Sequence, residues 1–342
     1  DPSRLAEARQ AAISNGIAES YAAGVRWVVD MTTEPWSSEW IDSAVDVLST
    51  ATPSVLGGMP EPPIVVQPCF EMIDVSQTRR EQTLGFEMSQ CIVAERNSRG
   101  RGGLAPHAPY TASPRLTQLC CAISRRERRV VSMHLAESVE EMEWLATQSG
   151  PFSELLLPIL GEYHFNSLSD VTQHLVHLSQ AWRSLIVHGN YLSVRDLVIL
   201  SHHAASMAVV HCPRTHGYFG HVHVKSMCYP LAERMSAGVR HLLGTDSRAS
   251  NPDLNLWSEA QAVRAYHPEI ASLAILRMVT TDAANFLAIG DRYGDLRVGG
   301  PANLTAIQYA NGPNRDSSSG ELYDAILSKK TRSCPLESLL VA

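Results

Sequence analysis

The stretch VVSMHLAE, residues 130–137, decides the fold of this chain. A short apolar run of this kind indicates a buried strand, yet this one ends in two ionisable side chains, His134 and Glu137. A single histidine at a strand end is usually a hydrogen-bonded structural residue. The pattern becomes informative only if other strands end in the same way, so that their polar ends meet at one point.

Six further apolar runs have the character of strands. They lie at residues 25–31, 63–72, 103–110, 184–192, 205–213 and 239–247, and the run quoted above extends over residues 129–137. Helical patterns separate most of these runs. One helical pattern precedes the run at residues 25–31 and stops at Gly24. Nearly continuous apolar strands that alternate with helices predict a parallel sheet covered by helices. We therefore expect an α/β fold, a distorted (β/α)8 TIM-like barrel whose strand 1 is absent from this chain.

Composition narrows the class of protein. The net charge is −7 with 18% charged residues, which argues against nucleic-acid binding, and no apolar run approaches the roughly 18 residues of a membrane span. The seven cysteines are scattered and contain no C-x-x-C pair, which predicts reduced thiols and a cytoplasmic protein.

Residues 1–292 are expected to form the barrel. Residues 293–342 are expected to form a small β appendage, the remnant of a composite β-sandwich domain.

Polar side chains follow the ends of four predicted strands: His107, the pair His134 and Glu137, His188, and Asp246. In a barrel of this type the carboxyl ends of all strands face the active site. Alternation along the strand places His134 and Ala136 on the inner face. Three histidines and two carboxylates at one barrel mouth suit a divalent metal, with zinc preferred and iron as the alternative.

Several motifs resemble the metal-dependent amidohydrolase superfamily, in the branch of the guanine, cytosine, S-adenosylhomocysteine and aminodeoxyfutalosine deaminases and the triazine hydrolases. They are PHAPYTASPRL, SMHLAES, LIVHGNYLS, VVHCPRTHGYFGH and LLGTDS, and the likeness runs from about residue 4 to residue 308. The resemblance implies one metal, bound by His134 and Asp246. His188 would contact the metal or the attacking water, Glu137 would shuttle protons, and His107 would touch the substrate. The strand GLAPHAPY has no lysine to bridge a second metal, so a mononuclear site is expected.

One element of that resemblance is not found. Family members carry an H-x-H pair of ligands on strand 1, and no such pair stands ahead of the first helix. The pair at residues 221–223 lies in a loop that shapes the substrate pocket in relatives, so we do not expect it to bind metal. We expect instead that a segment preceding Asp1 supplies the missing strand. The alternative is a degenerate member that binds metal poorly.

The expected activity is metal-dependent deamination of an amino-substituted N-heterocycle or nucleoside, a hydrolysis of a carbon–nitrogen bond other than a peptide bond. Dechlorination or dealkylamination of a triazine-like ring would use the same groups. A non-catalytic descendant that binds a small ligand is the remaining alternative. Expected substrate contacts are His107, Glu71, Arg214 and His216. The expected partner is a small heterocyclic substrate, not nucleic acid or a membrane, and a homodimer is left open.

Overall fold

The computed structural model describes residues 2–33, 35–51, 62–74, 101–160, 170–220, 229–301, 304–309 and 317–340. One of the helical patterns that separate the predicted strands, at residues 77–96 between the runs at 63–72 and 103–110, lies outside these ranges. The H-x-H pair at residues 221–223 also lies outside them.

Seven parallel strands form one sheet, in which each strand pairs with its neighbours in chain order. All seven predicted runs are confirmed as strands, although several strands are shorter than the runs. They are β1 (Trp27–Thr32), β2 (Val65–Met72), β3 (Gly103–Pro106), β4 (Val130–Leu135), β5 (Arg183–His188), β6 (Met207–His211) and β7 (His241–Leu243). Sequential order with parallel pairing differs from a doubly wound sheet, whose strand order reverses.

Within the described ranges, helices lie in the connections between strands. Those around the sheet are α1 (Pro2–Ala22), α2 (Ser38–Ala51), α3 (Pro114–Glu127), α4 (Val139–Thr147), α5 (Pro151–Leu160), α6 (Val171–Leu178), α7 (Val194–His202), α8 (Pro213–Tyr218) and α9 (Leu231–Ser236). After β7 come α10 (Leu256–Tyr266), α11 (Ser272–Met278) and α12 (Thr281–Phe286). Helix α1 ends two residues before Gly24, as its sequence predicts.

The sheet has a buried concave side. One apolar residue from each of six consecutive strands meets there with a phenylalanine from α12: Cys69, Ala105, Val130, Leu185, Ala208, Leu242 and Phe286. The opposite face packs on the helices. A ring of single residues from successive strands is how a curled parallel sheet fills its interior. The sheet is accordingly curled into a half-barrel, and Phe286 packs on its concave side.

Strand β4 shows how the two faces alternate. Val131, Met133 and Leu135 belong to the cluster that packs on the helices, whereas Val130 faces the interior, as does His134 by alternation. The expectation that Ala136 also faces inward is wrong, because Ala136 is buried in the helix-facing cluster. Its φ of +52° places it in the left-handed region, which breaks the alternation just past the strand.

The predicted C-terminal β appendage is an antiparallel pair of strands, β8 (Thr305–Tyr309) and β9 (Thr331–Pro335), separated in the chain by α13 (Ser319–Ile326) and followed by α14 (Glu337–Leu340). Its hydroxyl groups hold it to the main body. Thr305 Oγ1 donates to Gly24 O and Ser333 Oγ donates to Ala23 O, each at 2.6 Å. The pair therefore packs against the end of α1.

No helix in the described ranges has both the length and the hydropathy that crossing a membrane requires. The five cysteines in those ranges are free thiols, and four of them are buried.

Gly24 joins α1 to the appendage and should not tolerate a side chain. Its φ is +84°, and a Cβ there would lie 2.5 Å from Thr305 Cγ2. Gly24→Ala should lower the free energy of unfolding by about 1–2 kcal/mol from the left-handed backbone alone, and further from the clash. Urea unfolding measures the change. Gly320→Ala, in open space on α13, is the control and should leave stability unchanged or slightly higher. An equal effect of both variants would contradict this account.

His174 packs α6 on α3, and its Nδ1 lies 3.1 Å from Thr117 Oγ1. Burial lowers the pKa of His174 to about 3 from an ordinary value of 6.5. Between these values the unfolded chain binds a proton that the folded protein does not, so stability is lost as pH falls from about 6.5 toward 3.

His174→Gln should therefore flatten the dependence of stability on pH. The slope between about pH 4 and pH 6 should decrease by roughly 1.4 kcal/mol per pH unit, the value for one linked proton. Unfolding free energies measured across that range test this, with the exposed His202→Gln as the control. An unchanged slope in His174→Gln would show that His174 takes up its proton in the folded state.

Candidate active site

Three strand ends bring their ionisable side chains to one point. The ligand atoms of Glu137, His188 and Asp246 all lie within 4.8 Å of one another. Glu137 follows β4, His188 is the last residue of β5, and Asp246 follows β7. His188 Nε2 is 3.4 Å from Glu137 Oε1. The predicted convergence at the carboxyl end of the sheet is therefore present.

The curvature of the sheet produces this convergence. Three strand spacings separate β4 from β7, which in a flat sheet would be about 14 Å at ~4.8 Å per spacing. The ligand atoms of Glu137 and Asp246 are nevertheless within 4.8 Å of each other. The curl of the sheet, together with the reach of these two side chains beyond their strands, accounts for the short distance.

The backbone leaves the extended conformation at each of the three strand ends. Ala136, His188 and Asp246 have φ values of +52°, +69° and +60°, all in the left-handed region. This conformation is uncommon for residues other than glycine and costs roughly 1–3 kcal/mol at each position. It persists only where surrounding contacts hold it, and such residues cluster at functional sites.

Glu141 holds the turn after β4. Its side chain is buried on the first turn of α4, and its carboxylate accepts hydrogen bonds from Ala136 N (3.0 Å) and Glu137 N (2.7 Å). These bonds fix the left-handed turn that aims Glu137 at the mouth. Burial, then the charges of Asp246 and Glu141, raises the pKa of Glu137 to about 7. A carboxyl group in this state exchanges a proton readily near neutral pH.

His134 lies beside the three-residue cluster. Its ring stacks on that of His188 with centroids 5.7 Å apart, and its Nδ1 lies 3.1 Å from His107 O. A carbonyl can only accept, so Nδ1 carries the proton and Nε2 of the neutral ring is an acceptor. Burial, then the proximity of His107, lowers the pKa of His134, which keeps the ring neutral and able to bind a metal.

Two serines fix the carboxylate of Asp246. Ser247 N donates to Oδ1 at 2.6 Å, and Ser250 Oγ donates to Oδ2 at 2.7 Å. The side chain is thereby held in one orientation at the end of a left-handed turn. A carboxylate with one hydrogen bond on each oxygen can still offer a further lone pair to a ligand.

Two of the predicted substrate contacts lie together at the mouth. Glu71, in β2, has its Oε2 4.0 Å from Nε2 of His107, which follows β3. Nδ1 of His107 is 2.6 Å from Thr111 Oγ1, and the rings of His107 and His134 have centroids 5.3 Å apart. Burial lowers the pKa of His107, so its ring is neutral.

The other two predicted contacts have different surroundings. Arg214 donates from Nε to Glu259 Oε1 and from Nη2 to Asp253 Oδ1, both at 2.6 Å. Glu259 is fully buried, so Arg214 compensates a charge inside the protein. His216 is buried on α8, with its ring 6.1 Å from that of Tyr229. A role for either residue in substrate binding stays a prediction.

Sequence reasoning missed Glu141, although a signal for it existed. The pattern S-x-x-E at Ser138 and Glu141 is typical of a capping box at a helix start. Ser138 Oγ does accept from Glu141 N at 3.1 Å, as that pattern predicts. The Glu141 carboxylate, however, accepts from the backbone at the end of β4 and not only near the helix cap, and no local sequence pattern predicts that contact.

A model of the amidohydrolase family matches residues 6–333. The chain belongs to the amidohydrolase family. The resemblance seen in its motifs is thereby confirmed, and the relatives include the deaminases that the motifs indicate.

Among the relatives, the 5-methylthioadenosine/S-adenosylhomocysteine deaminase of Syntrophobacter fumaroxidans is 30% identical over 217 residues, which cover 61% of this chain and 44% of that protein. The crystal structure of Helicobacter pylori aminofutalosine deaminase has a TM-score of 0.71 at 18% identity, covering 95% of this chain and 75% of that one. The zinc complex of Arthrobacter aurescens atrazine chlorohydrolase has a TM-score of 0.60 at 15% identity, covering 86% and 62%. The two structural likenesses show a shared fold. The chain spans about half the length of the curated relatives it matches.

Arg214 should matter for stability more than for substrate affinity. Arg214→Met leaves the buried carboxylate of Glu259 without its cation, which should cost about 3–5 kcal/mol of unfolding free energy. Adding Glu259→Gln should recover part of the loss. Arg264→Met is the matched control, because Arg264 forms a partly exposed pair with Asp324 at 3.4 Å, worth at most about 1 kcal/mol. A stable Arg214→Met protein with a raised KM would instead make Arg214 a substrate contact.

Proposed function

We propose that this chain forms the catalytic part of a metal-dependent hydrolase that deaminates an amino-substituted N-heterocycle or nucleoside. The observation that carries the proposal is the meeting of Glu137, His188 and Asp246 within 4.8 Å at the carboxyl end of the sheet, with His134 beside them. Family membership supports a metal-dependent hydrolytic mechanism. The deaminase relatives support an exocyclic amine as the leaving group.

The side chains present fit a divalent metal. Asp246 offers a carboxylate oxygen, and His134 and His188 offer imidazole nitrogens on adjacent strands whose rings stack. Nitrogen and carboxylate ligands suit zinc, with iron as the alternative. We propose His134, His188 and Asp246 as ligands and Glu137 as the proton shuttle. The hydrogen bond that His134 Nδ1 donates to His107 O orients the His134 ring, as hydrogen bonds to metal-binding histidines commonly do.

A divalent metal bound there would lower the pKa of the attacking water toward neutrality. Asp246, held by Ser247 and Ser250, accepts a proton from that water as it adds to the ring carbon. In the alternative in which His188 contacts the attacking water instead of the metal, it stabilises the negative charge that develops on the oxygen. Glu137 gives its proton to a ring nitrogen. Asp246 then passes the proton that it took from the water to the exocyclic amine, which leaves as ammonia. Glu137 recovers a proton from the hydroxyl group on the ring carbon, which becomes a carbonyl.

The environment of Glu137 suits a group that both donates and accepts a proton. A carboxyl whose pKa is about 7 is present in both forms at neutral pH. An ordinary exposed glutamate would be almost fully ionised there and would seldom have a proton to give. Glu71 and His107, 4.0 Å apart on the neighbouring strands, are the proposed contacts to the substrate ring or its substituents.

We also propose that the seven-stranded sheet belongs to a (β/α)8 barrel from which one strand is missing. In the part of the chain that the structure describes, β1 and β7 are the two edges of the sheet. Most of the β1 side chains are only half-buried, unlike those of β2 to β7. Exposed edges of parallel strands are rare in soluble proteins, and one further strand between β1 and β7 would remove both.

The test of the proposed mechanism is Glu137→Gln in the full-length protein. The amide is nearly the same shape as the carboxyl but cannot carry the proton, so the fold and bound metal should be retained. Activity should fall by about 10² to 10⁴, the usual contribution of a general acid–base group. Ammonia release is measured on aminopurines, aminopyrimidines and adenosine-like nucleosides, and metal is measured by elemental analysis after dialysis.

Two further variants separate the roles. His134→Ala should lose metal and activity together. Glu140→Gln, an exposed neighbour on α4, is the matched control and should behave like the parent. Loss of metal in Glu137→Gln would make Glu137 a ligand, and near-normal turnover would make it structural. A parent that deaminates nothing on the panel would direct the search to hydrolytic loss of other leaving groups, such as chloride or alkylamine.

A further inference from the structure

A buried arginine lies directly beneath the turn that carries His188. Arg234 belongs to the short helix α9, which precedes β7, and its side chain is only 3% exposed. Its Nη1 donates to Gly189 O at 2.6 Å, and its Nη2 donates to Asn190 O at 3.1 Å. One guanidinium thus binds two successive carbonyls of the turn that follows β5.

The aromatic layer below fixes the position of this guanidinium. Its Cζ lies 4.4 Å from the centroid of the Tyr229 ring, a cation–π contact. Tyr229 in turn stacks on His211 of β6 with centroids 4.1 Å apart. Its hydroxyl lies 3.0 Å from His241 Nε2 in β7. Arg234 is therefore anchored to β6 and β7 and reaches across to β5.

An arginine is energetically unfavourable at the buried position of Arg234. Among the residues that the structure describes, no carboxylate forms an ion pair with Arg234, and its buried Nε has no hydrogen-bond partner. Burying a cation costs free energy that hydrogen bonds to carbonyls offset only in part, and a leucine or methionine of similar volume would avoid that cost. Stability alone therefore does not explain Arg234.

The turn that it binds needs support. His188 and Gly189 are consecutive residues in the left-handed region, with φ values of +69° and +59°. The side chain of Leu192 crowds Gly189 so closely that a Cβ would lie 2.9 Å from Leu192 Cδ1. The rigid, planar guanidinium group of arginine can donate to two carbonyl groups at once and fix their orientation. The flexible lysine side chain, with its single ammonium group, cannot do this.

The same turn is hydrogen-bonded to the residues at the end of β4. Gly189 N donates to Leu135 O at 2.9 Å and Tyr191 N donates to Ala136 O at 3.1 Å. Asn190 Nδ2 donates to Glu137 O at 2.8 Å. A shift of residues 189–191 would therefore move the backbone of His188 and that of Glu137 together.

We propose that Arg234 is a positioning residue that holds the turn at residues 188–190 and, through Asn190, sets the placement of His188 and Glu137 relative to each other. Its effect on turnover rests on the proposed function, whereas its hold on the turn does not. Arg234 touches neither substrate nor reacting atoms in this account. It acts through two carbonyls and one amide side chain.

The test compares Arg234→Lys with Arg129→Lys in the full-length protein. Lysine keeps the charge but cannot bind both carbonyls while lying flat on Tyr229. Arg129 is the matched control, because it is also buried and also donates to a backbone carbonyl, Gly102 O at 2.9 Å, but at the amino end of the sheet. Hydrogen exchange at the amides of Gly189 and Tyr191, kcat, KM and thermal stability are measured for both variants.

In Arg234→Lys, exchange at these two amides should accelerate by about tenfold or more, since the turn opens more often. We expect kcat to fall by about 10- to 100-fold with little change in KM, because small misplacement of catalytic groups slows chemistry without removing substrate contacts. Arg129→Lys should lower thermal stability without either effect. Asn190→Ala is the second variant, should Arg234→Lys fail to fold, and should lower kcat without accelerating exchange elsewhere in the sheet.

Unchanged exchange at Gly189 and Tyr191 would overturn the proposal, whatever the activity. Accelerated exchange with an unchanged kcat would also overturn it, because the turn would then not set the placement of the reacting groups. Accelerated exchange in a protein whose parent releases no ammonia on any substrate would support the hold on the turn and reject the proposed function instead.

Discussion

The left-handed backbone at three strand ends is the constraint on which the site depends. A β-strand alternates its side chains between two faces, so a strand that simply continued would send every second residue into the helical layer. At Ala136, His188 and Asp246 the chain leaves that alternation. These left-handed residues lie where Glu137, His188 and Asp246 meet at the mouth of the half-barrel. Each position is strained and has a hydrogen bond that supports it: from Ala136 N to Glu141, from Arg234 to Gly189 O, and from Ser250 to the Asp246 carboxylate.

The site also concentrates ionisable groups that a stability-driven core would exclude. Glu137 and Glu141 both have pKa values raised to about 7, with burial as the largest cause. As pH rises from about 4.5 to about 7 the unfolded chain ionises these carboxyls more readily than the folded protein, so their burial costs stability at neutral pH. What is gained is a carboxyl that still holds a proton where an exposed glutamate would not. Strain and desolvation at a functional site, offset by packing elsewhere, are what a catalytic role requires.

The apolar runs in the sequence were enough to predict seven parallel strands in their order, because buried strands must be apolar and their connections here are helical. Motif residues at the strand ends were enough to predict the convergence of His188, Asp246 and Glu137, since parallel strands present their carboxyl ends on one side. The appendage was predicted from a change in pattern after residue 292, and the structure shows it as β8 and β9 packed against the end of α1.

The sequence by itself therefore determined the fold class, the strand order and the convergence of Glu137, His188 and Asp246. The tertiary structure decided how close these side chains lie to one another, which hydrogen bonds hold them and how their pKa values are shifted. The turn at Ala136 cannot be read from alternation, because a glutamate five residues later imposes it. Arg214 was expected to contact the substrate, and the structure shows it paired with the buried Glu259, 45 residues away. Arg234 carries no local signal, since its partners lie 44 and 45 residues earlier. The contacts of Arg214 and Arg234 join residues distant in sequence, and only the folded chain brings them within hydrogen-bonding distance.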